Sequence, residues 1–213
     1  MPLQVITPPT SEPITVDEAK AHLRVDHNLD DALITAMISA CRDFAEAKTR
    51  RSFLPQTLEL TLDSFPGPSL MGVPYGKAYS IPGHAIILER PPIASITSIK
   101  YLDTGGTLQT MPTTDYVDLT AGGTQRIDDL CRITPVFGKI WPINLWQIGS
   151  VKVRYVAGWP DVATIPPALK AWMKLRLGAL YENREEVAVG TRIVVAELPF
   201  VDGILDQFTV EVF

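Results

Sequence analysis

Two amphipathic helical stretches, Thr15 to Arg51 and Ile165 to Glu186, bracket about a hundred residues patterned as strands and turns. Neither terminal stretch can bury its apolar face alone. The two ends of the chain are therefore expected to pack on each other, with the β region from Gln56 to Tyr155 inserted between them. This predicts an α+β fold, in which terminal helices form a small helical bundle carrying an inserted antiparallel β subdomain. The expected divisions are an extended arm at 1–13, a helical part at 14–55 and the β subdomain at 56–157. A C-terminal helix at 158–190 completes the bundle, and an apolar docking tail occupies 191–213.

Local signals define the helices. Met1 to Pro13 carries four prolines and reads as an arm that must dock on something or stay mobile. Thr15-Val-Asp-Glu18 has capping-box form: the Thr15 hydroxyl can accept from the Glu18 amide, and the Glu18 carboxylate can reach back to the Thr15 amide. Val16, Ala19 and Leu23 continue as a short apolar stripe. Asp30 is placed as the N-cap of a second helix, with Leu29 and Ile34 spaced as a hydrophobic staple. Leu33, Ile34, Met37, Ile38, Cys41, Phe44 and Ala45 then recur at helical spacing, the strongest such pattern in the chain. Arg42, Lys48, Arg50 and Arg51 load the second half of that helix with positive charge. This suits the negative end of the helix dipole, with an acidic partner as the alternative use. Near the other end, Pro166 and Pro167 open a helix whose broad face holds Leu169, Trp172, Met173, Leu177, Leu180 and Tyr181, extended by Leu175 and Ala179.

In the middle the period becomes two. Leu58, Leu60 and Leu62 alternate with polar residues, and Ile86 and Leu88 begin another strand. Ile96–Leu102 and Leu108–Met111 flank the turn Asp103-Thr-Gly-Gly106. Gly122-Gly123 suggests a further turn before Arg126–Thr134. Val151, Val153 and Tyr155 close the region, with Lys152 and Arg154 on the opposite face. The Pro- and Gly-rich stretch Phe65–Gly83 reads as a long loop able to reach a partner.

Composition and motifs exclude more than they assign. A formal charge of −5 over 213 residues argues against broad, sequence-independent grip on nucleic acid, which needs Lys and Arg to displace counterions. Cys41 and Cys131 read as buried free thiols. No signal-peptide pattern precedes Pro13, and no window is apolar enough to span a membrane. Asp26-His-Asn28-Leu-Asp30 imitates half of a calcium loop, but Asp31 stands where Gly is needed and Met37 where a bidentate Glu is needed. His22, His27 and His84 have no Cys or His pair to complete a zinc site. No nucleophile elbow, phosphate-cradling loop or carboxylate pair is present, so no catalytic residue, cofactor or metal is expected. The tail is the unusual feature. Leu198, Phe200, Val201, Ile204, Leu205, Phe208 and Phe213 crowd apolar surface into the last residues, which needs a partner surface in cis or in trans.

Ile14-Thr-Val-Asp-Glu-Ala-Lys-Ala-His-Leu-Arg-Val-Asp26, Asp30-Asp-Ala-Leu-Ile34 and Glu46-Ala-Lys-Thr-Arg-Arg-Ser-Phe-Leu-Pro-Gln-Thr57 resemble the head–tail connector (adaptor) proteins of tailed bacteriophages and prophages. Ile165-Pro-Pro-Ala-Leu169 and Leu180-Tyr-Glu-Asn-Arg-Glu185 resemble that family's C-terminal helix. The family often has Gly after the Thr that ends the second helix, whereas here Arg50 follows Thr49. The resemblance implies a structural protein of the virion neck, assembled in the bacterial cytoplasm as a ring of about twelve subunits. Its partners are then copies of itself, the portal protein, a stopper or tail-completion protein, and DNA passing through without sequence-specific binding. Another neck or tail ring protein, such as a terminator, is the nearest alternative. A soluble enzyme or ligand-binding domain built on the β region is the alternative from another class.

Overall fold

The computed structural model describes residues 2–67, 85–118, 131–183 and 199–210, with the backbone alone for 199–202. The expected turn at Gly122-Gly123 and most of the Phe65–Gly83 loop lie outside those residues. The chain divides into two compact units. One is built from the described parts of Met1–Pro9 and Pro55–Gly158, the other from Thr10–Leu54 and Trp159–Val210.

The helical unit holds α1 (Val16–Leu23), α2 (Asp31–Thr49), α3 (Pro167–Glu182) and α4 (Pro199–Asp206). Thr15 caps α1 by accepting from the Glu18 amide at 3.1 Å, while the Glu18 carboxylate lies 3.9 Å from Lys174 Nζ. Asp30 occupies the N-cap of α2 but its side chain makes no capping bond. It accepts instead from the Tyr181 hydroxyl at 2.6 Å. The expected staple is also absent, because Leu29 is 89% exposed while Ile34 is fully buried. The apolar positions of α2 split into two seams. Ile34, Ile38, Cys41 and Ala45 face the core with Leu169, Trp172, Met173 and Leu177 of α3. Leu33 and Met37 belong to a second seam on the flank. Phe44 stacks on Trp172 with ring centroids 5.7 Å apart, and the Arg176 guanidinium lies 5.6 Å from the Phe44 ring centre. Burial pushes the Cys41 thiol up to about 11, as an inert core thiol requires.

The exit of α2 explains how this chain manages without a glycine. Arg50 itself adopts the left-handed conformation at φ 54°, and its amide donates to the Glu46 carbonyl. That conformation costs a residue with a side chain about 1–2 kcal/mol. Two bonds offset it: the Phe53 amide donates to buried Glu46 Oε1 at 2.6 Å, and Arg51 Nε donates to the Phe208 carbonyl at 2.6 Å. Arg42 donates to Glu12 at 2.8 Å, and Lys48 lies 4.0 Å from Asp206. The basic end of α2 is thus largely engaged inside its own unit.

The β unit contains two antiparallel sheets. The first has the order β1 (Leu3–Thr7), β2 (Gln56–Leu62), β8 (Val151–Ala157), β4 (Ile93–Leu102), β5 (Leu108–Thr110). The second runs β3 (Ile86–Leu88), β7 (Cys131–Pro135), β6 (Tyr116–Asp118). The N-terminal arm therefore docks in part as an edge strand, with Leu3 opposite Leu60 and Val5 opposite Leu58. Inward residues of both sheets share one core, including Leu58, Leu60, Val153, Tyr155, Leu88 and Ile133. The Tyr155 hydroxyl donates to the Glu89 carbonyl at 2.9 Å, so its polar end is satisfied. The Asp103 carboxylate accepts from the Gly105 and Thr107 amides, each at 2.9 Å, and Gly106 turns at φ 79° between β4 and β5.

On the other face of the first sheet, Glu59 opposes Arg154 across β2 and β8. Arg154 donates to Glu59 Oε2 through Nη2 at 2.6 Å and Nε at 3.0 Å, and Lys152 lies 3.5 Å from Oε1. Burial pushes the Glu59 carboxyl up, but Arg154 and then Lys152 pull it down further, leaving it below the ordinary value of 4.5. A carboxylate depressed on folding stabilises the fold above its unfolded pKa, and that contribution is lost as pH falls through the folded one. Glu59→Gln should therefore melt below wild type at neutral pH, and the gap should close as the pH drops below 4.5. Parallel thermal melts across that range check this; a constant gap would show that charge is not what Glu59 contributes.

Candidate functional site

Among the described residues, no three or more His, Cys, Asp or Glu side chains are placed to hold a metal ion, and no helix is long and apolar enough to cross a membrane. The residues of the imitation calcium loop are engaged elsewhere, with Asn28 accepting from Lys20 and Asp30 from Tyr181. The feature that calls for a function is a surface. Residues 136–150, the connection from β7 to β8, carry Phe137, Ile140, Ile143, Trp146 and Ile148, each between 78% and 102% exposed.

Apolar side chains on a slack loop would fold back onto the protein. Here the backbone is held too firmly for that. The Val136 amide donates to the Asp115 carbonyl at 3.1 Å, and Lys139 pairs with the Asp115 carboxylate. Gly138 turns at φ 81°, and the Lys139 amide closes that turn on the Val136 carbonyl at 2.9 Å. Trp141 then points inward, 8% exposed, and stacks on Phe65 at 4.9 Å with rings 8° from parallel. Tyr101 meets the edge of the same Phe65 ring at 5.6 Å.

Asn144 is the second anchor. Buried, it donates to Ser150 Oγ at 2.5 Å and to the Leu145 carbonyl at 3.0 Å, and accepts from the Phe65 amide at 3.4 Å. Ser150 passes the connection on to the Asp63 carbonyl at 2.7 Å. The Leu145 amide donates to the Leu102 carbonyl, and the Gly149 amide to Asp63 Oδ1, both at 2.9 Å. Gly149 sits at φ 72°, where a Cβ would also lie 3.3 Å from Thr61 Cγ2, so a side chain there would be strained. Between these anchors the exposed residues have nowhere to collapse. A pre-ordered apolar surface with a central aromatic is the kind that binds a partner at low entropic cost.

This loop escaped the sequence reading. Two inward residues, Trp141 and Asn144, interrupt any strand or helix period, so pattern alone left 136–150 as connection. The available signal was compositional: eight of the fifteen residues at 136–150 are bulky and apolar, where a surface connection is normally polar.

The apolar tail divides differently. Leu205 is fully buried and Phe208 nearly so, both within the helical core, and Ile204 packs partly against it. The Val210 amide donates to the Thr49 carbonyl at 3.0 Å, which fastens the segment to the end of α2. These residues have their partner surface in cis. Phe200 and Val201 lie on α4 with side chains outside the described residues, and Leu198 and Phe213 lie outside them altogether.

Residues 13–72 match the Phage gp6-like head-tail connector protein family. That match spans α1, α2 and β2. No curated protein matches the chain. Its fold is similar to that of a chain in the virion of a native gene transfer agent particle. The TM-score is 0.73 at 17% identity, over 100% of this chain and 97% of the other. Chains in the neck of the empty particle, computed with C6 symmetry, and of the native particle, computed with C12 symmetry, are similar at 18% identity, with TM-scores of 0.73 and 0.71. Each is matched over 100% of this chain and 97% of its own length. At these identities the likeness is one of fold.

Two substitutions separate the surfaces. Leu205→Ala should cost about 2–5 kcal/mol in urea unfolding, because it opens a cavity in the helical core. A residue serving only an outside partner would change stability by no more than about 0.5 kcal/mol. Asn144→Ala should cost about 1–3 kcal/mol by orphaning buried groups. It should also speed hydrogen exchange of the Leu145 and Gly149 amides; unchanged protection there would mean that Asn144 does not anchor the loop.

Proposed function

We propose that this chain, whose residues 13–72 match the head–tail connector family, is a structural subunit of a virion neck that assembles as a ring beneath the portal. The ring joins capsid to tail and forms part of the DNA conduit. The observation that carries the reading is the connector-family match at 13–72 together with a whole-chain fold similar to chains of particle necks. The pre-ordered apolar loop supports it, because a subunit of an assembly needs such a surface and an isolated domain does not.

The chain's physical character suits a conduit. With a net charge of −5, a subunit can surround DNA without retaining its phosphates, whereas a basic lumen would hold them. Leu205 and Phe208 belong to the helical core, so docking of the tail on the portal falls to Leu198, Phe200, Val201 and Phe213. A stopper or tail-completion protein takes the other end of the ring.

Light scattering on a size-exclusion column, with negative-stain images of the same fractions, tests the reading. A closed ring of about a dozen subunits with an open channel is expected, alone or on mixing with the cognate portal protein. A chain that stays monomeric in both conditions would sink the proposal. Replacing Phe200 and Phe213 together by Ser should weaken portal capture while leaving the melting temperature of the free subunit in place; undiminished capture would remove the tail from the portal interface.

A further inference from the structure

The flank of the helical unit carries a second apolar surface, left uncovered among the described residues. Leu33, Ala36, Met37 and Ala40 follow one another along α2 at i, i+3, i+4, i+7 spacing, and Leu180 and Asn183 of α3 form the opposite wall. The result is a shallow groove of about 410 Å³. Its composition is specific. Two alanines make room in the floor, while Leu33, Met37 and Leu180 line the sides with flexible, apolar groups. Met in particular adapts its shape to a bulky guest.

We infer that this groove receives the 136–150 loop of a second copy of the chain, with Trp146 as the anchor. The inference rests on the ring reading above and deepens it by naming both halves of the ring contact. Two observations commit the groove to another copy. The first is that knob and groove are different surfaces of one sequence. In the ring reading the contact is heterologous: each copy offers its loop to one neighbour and its groove to the other, and rotation closes the series. A two-fold exchange of loop and groove would fill both surfaces as well, but it would stop at a dimer. The second is area. The five exposed side chains of the loop present on the order of 800 Å², the share that one partner contributes to a stable interface. Trp is also among the residues most enriched as anchors in desolvated pockets at interfaces.

Complementation tests this directly. Trp146→Asp spoils the loop and keeps the groove; Ala36→Asp spoils the groove and keeps the loop. Both positions are exposed, so each variant should melt close to wild type. Wild type should form rings, each variant alone should be monomeric, and an equal mixture should give a one-to-one dimer that grows no further. Rings from either variant, or a mixture that stays monomeric, would overturn the inference while leaving the ring reading intact. A wild type that forms no ring even with the portal would take both down. If either variant fails to fold, a chain carrying Gln147→Cys and Ala36→Cys replaces it, with buried Cys41 and Cys131 retained. Treated with a short thiol cross-linker in the assembled state, it should give a ladder of multimers on a denaturing gel. Monomer alone from assembled rings would refute the pairing.

Discussion

The pairing of β2 with β8 is the contact on which the rest depends. It runs in unbroken register from Gln56 opposite Ala157 to Leu62 opposite Val151, so the inserted segment begins and ends at adjacent positions in one sheet. Bringing together two points separated by about a hundred residues costs on the order of 4 kcal/mol in loop-closure entropy. Here that closure is accomplished inside the β unit, by its own strand pairing and core. For the helical unit the intervening chain then acts as a short connection. Phe53 and Trp159, the residues flanking the insertion, meet edge to face at 5.9 Å within that unit. Helices from opposite ends of the sequence can therefore share the core around Trp172.

The same register defines what each face of the first sheet can do. Alternation places Leu58, Leu60, Val153 and Tyr155 inward and Glu59, Lys152 and Arg154 outward. The 136–150 loop enters β8 directly, and its anchors reach back to Asp63 and Phe65, just beyond the end of β2. The apolar surface it displays is held by the framework that closes the insertion. Rigidity at Trp141 and Asn144 and exposure at Trp146 are two consequences of one arrangement.

Much of the architecture was legible in the chain. The period change at Gln56, the Thr15 cap, the proline-led start of α3 and the Asp103–Gly106 turn all depend on neighbours a few residues apart, and all appear where spacing predicts them. Expectations that depended on a distant group fared worse. Asp30 lost its capping role to the Tyr181 hydroxyl, and Leu29 found no partner for a staple. Arg50 took the left-handed exit because Glu46 and Arg51 could secure the backbone on either side of it. The arm at the N-terminus became an edge strand only because β2 presents it an open ladder.

Sequence by itself determined α1, α2 and α3 and the strands β2, β4 and β8, and which residues along each are apolar, since periodicity and caps are local properties of the chain. It could not determine which apolar residues find cover. Leu205 sits in a segment that reads as apolar surface in need of a partner, and Trp146 in one that reads only as connection. Tertiary structure buries the first against α2 and α3 and holds the second in solvent. The reason is physical: burial is a property of two surfaces, and the second surface lies far away in the sequence.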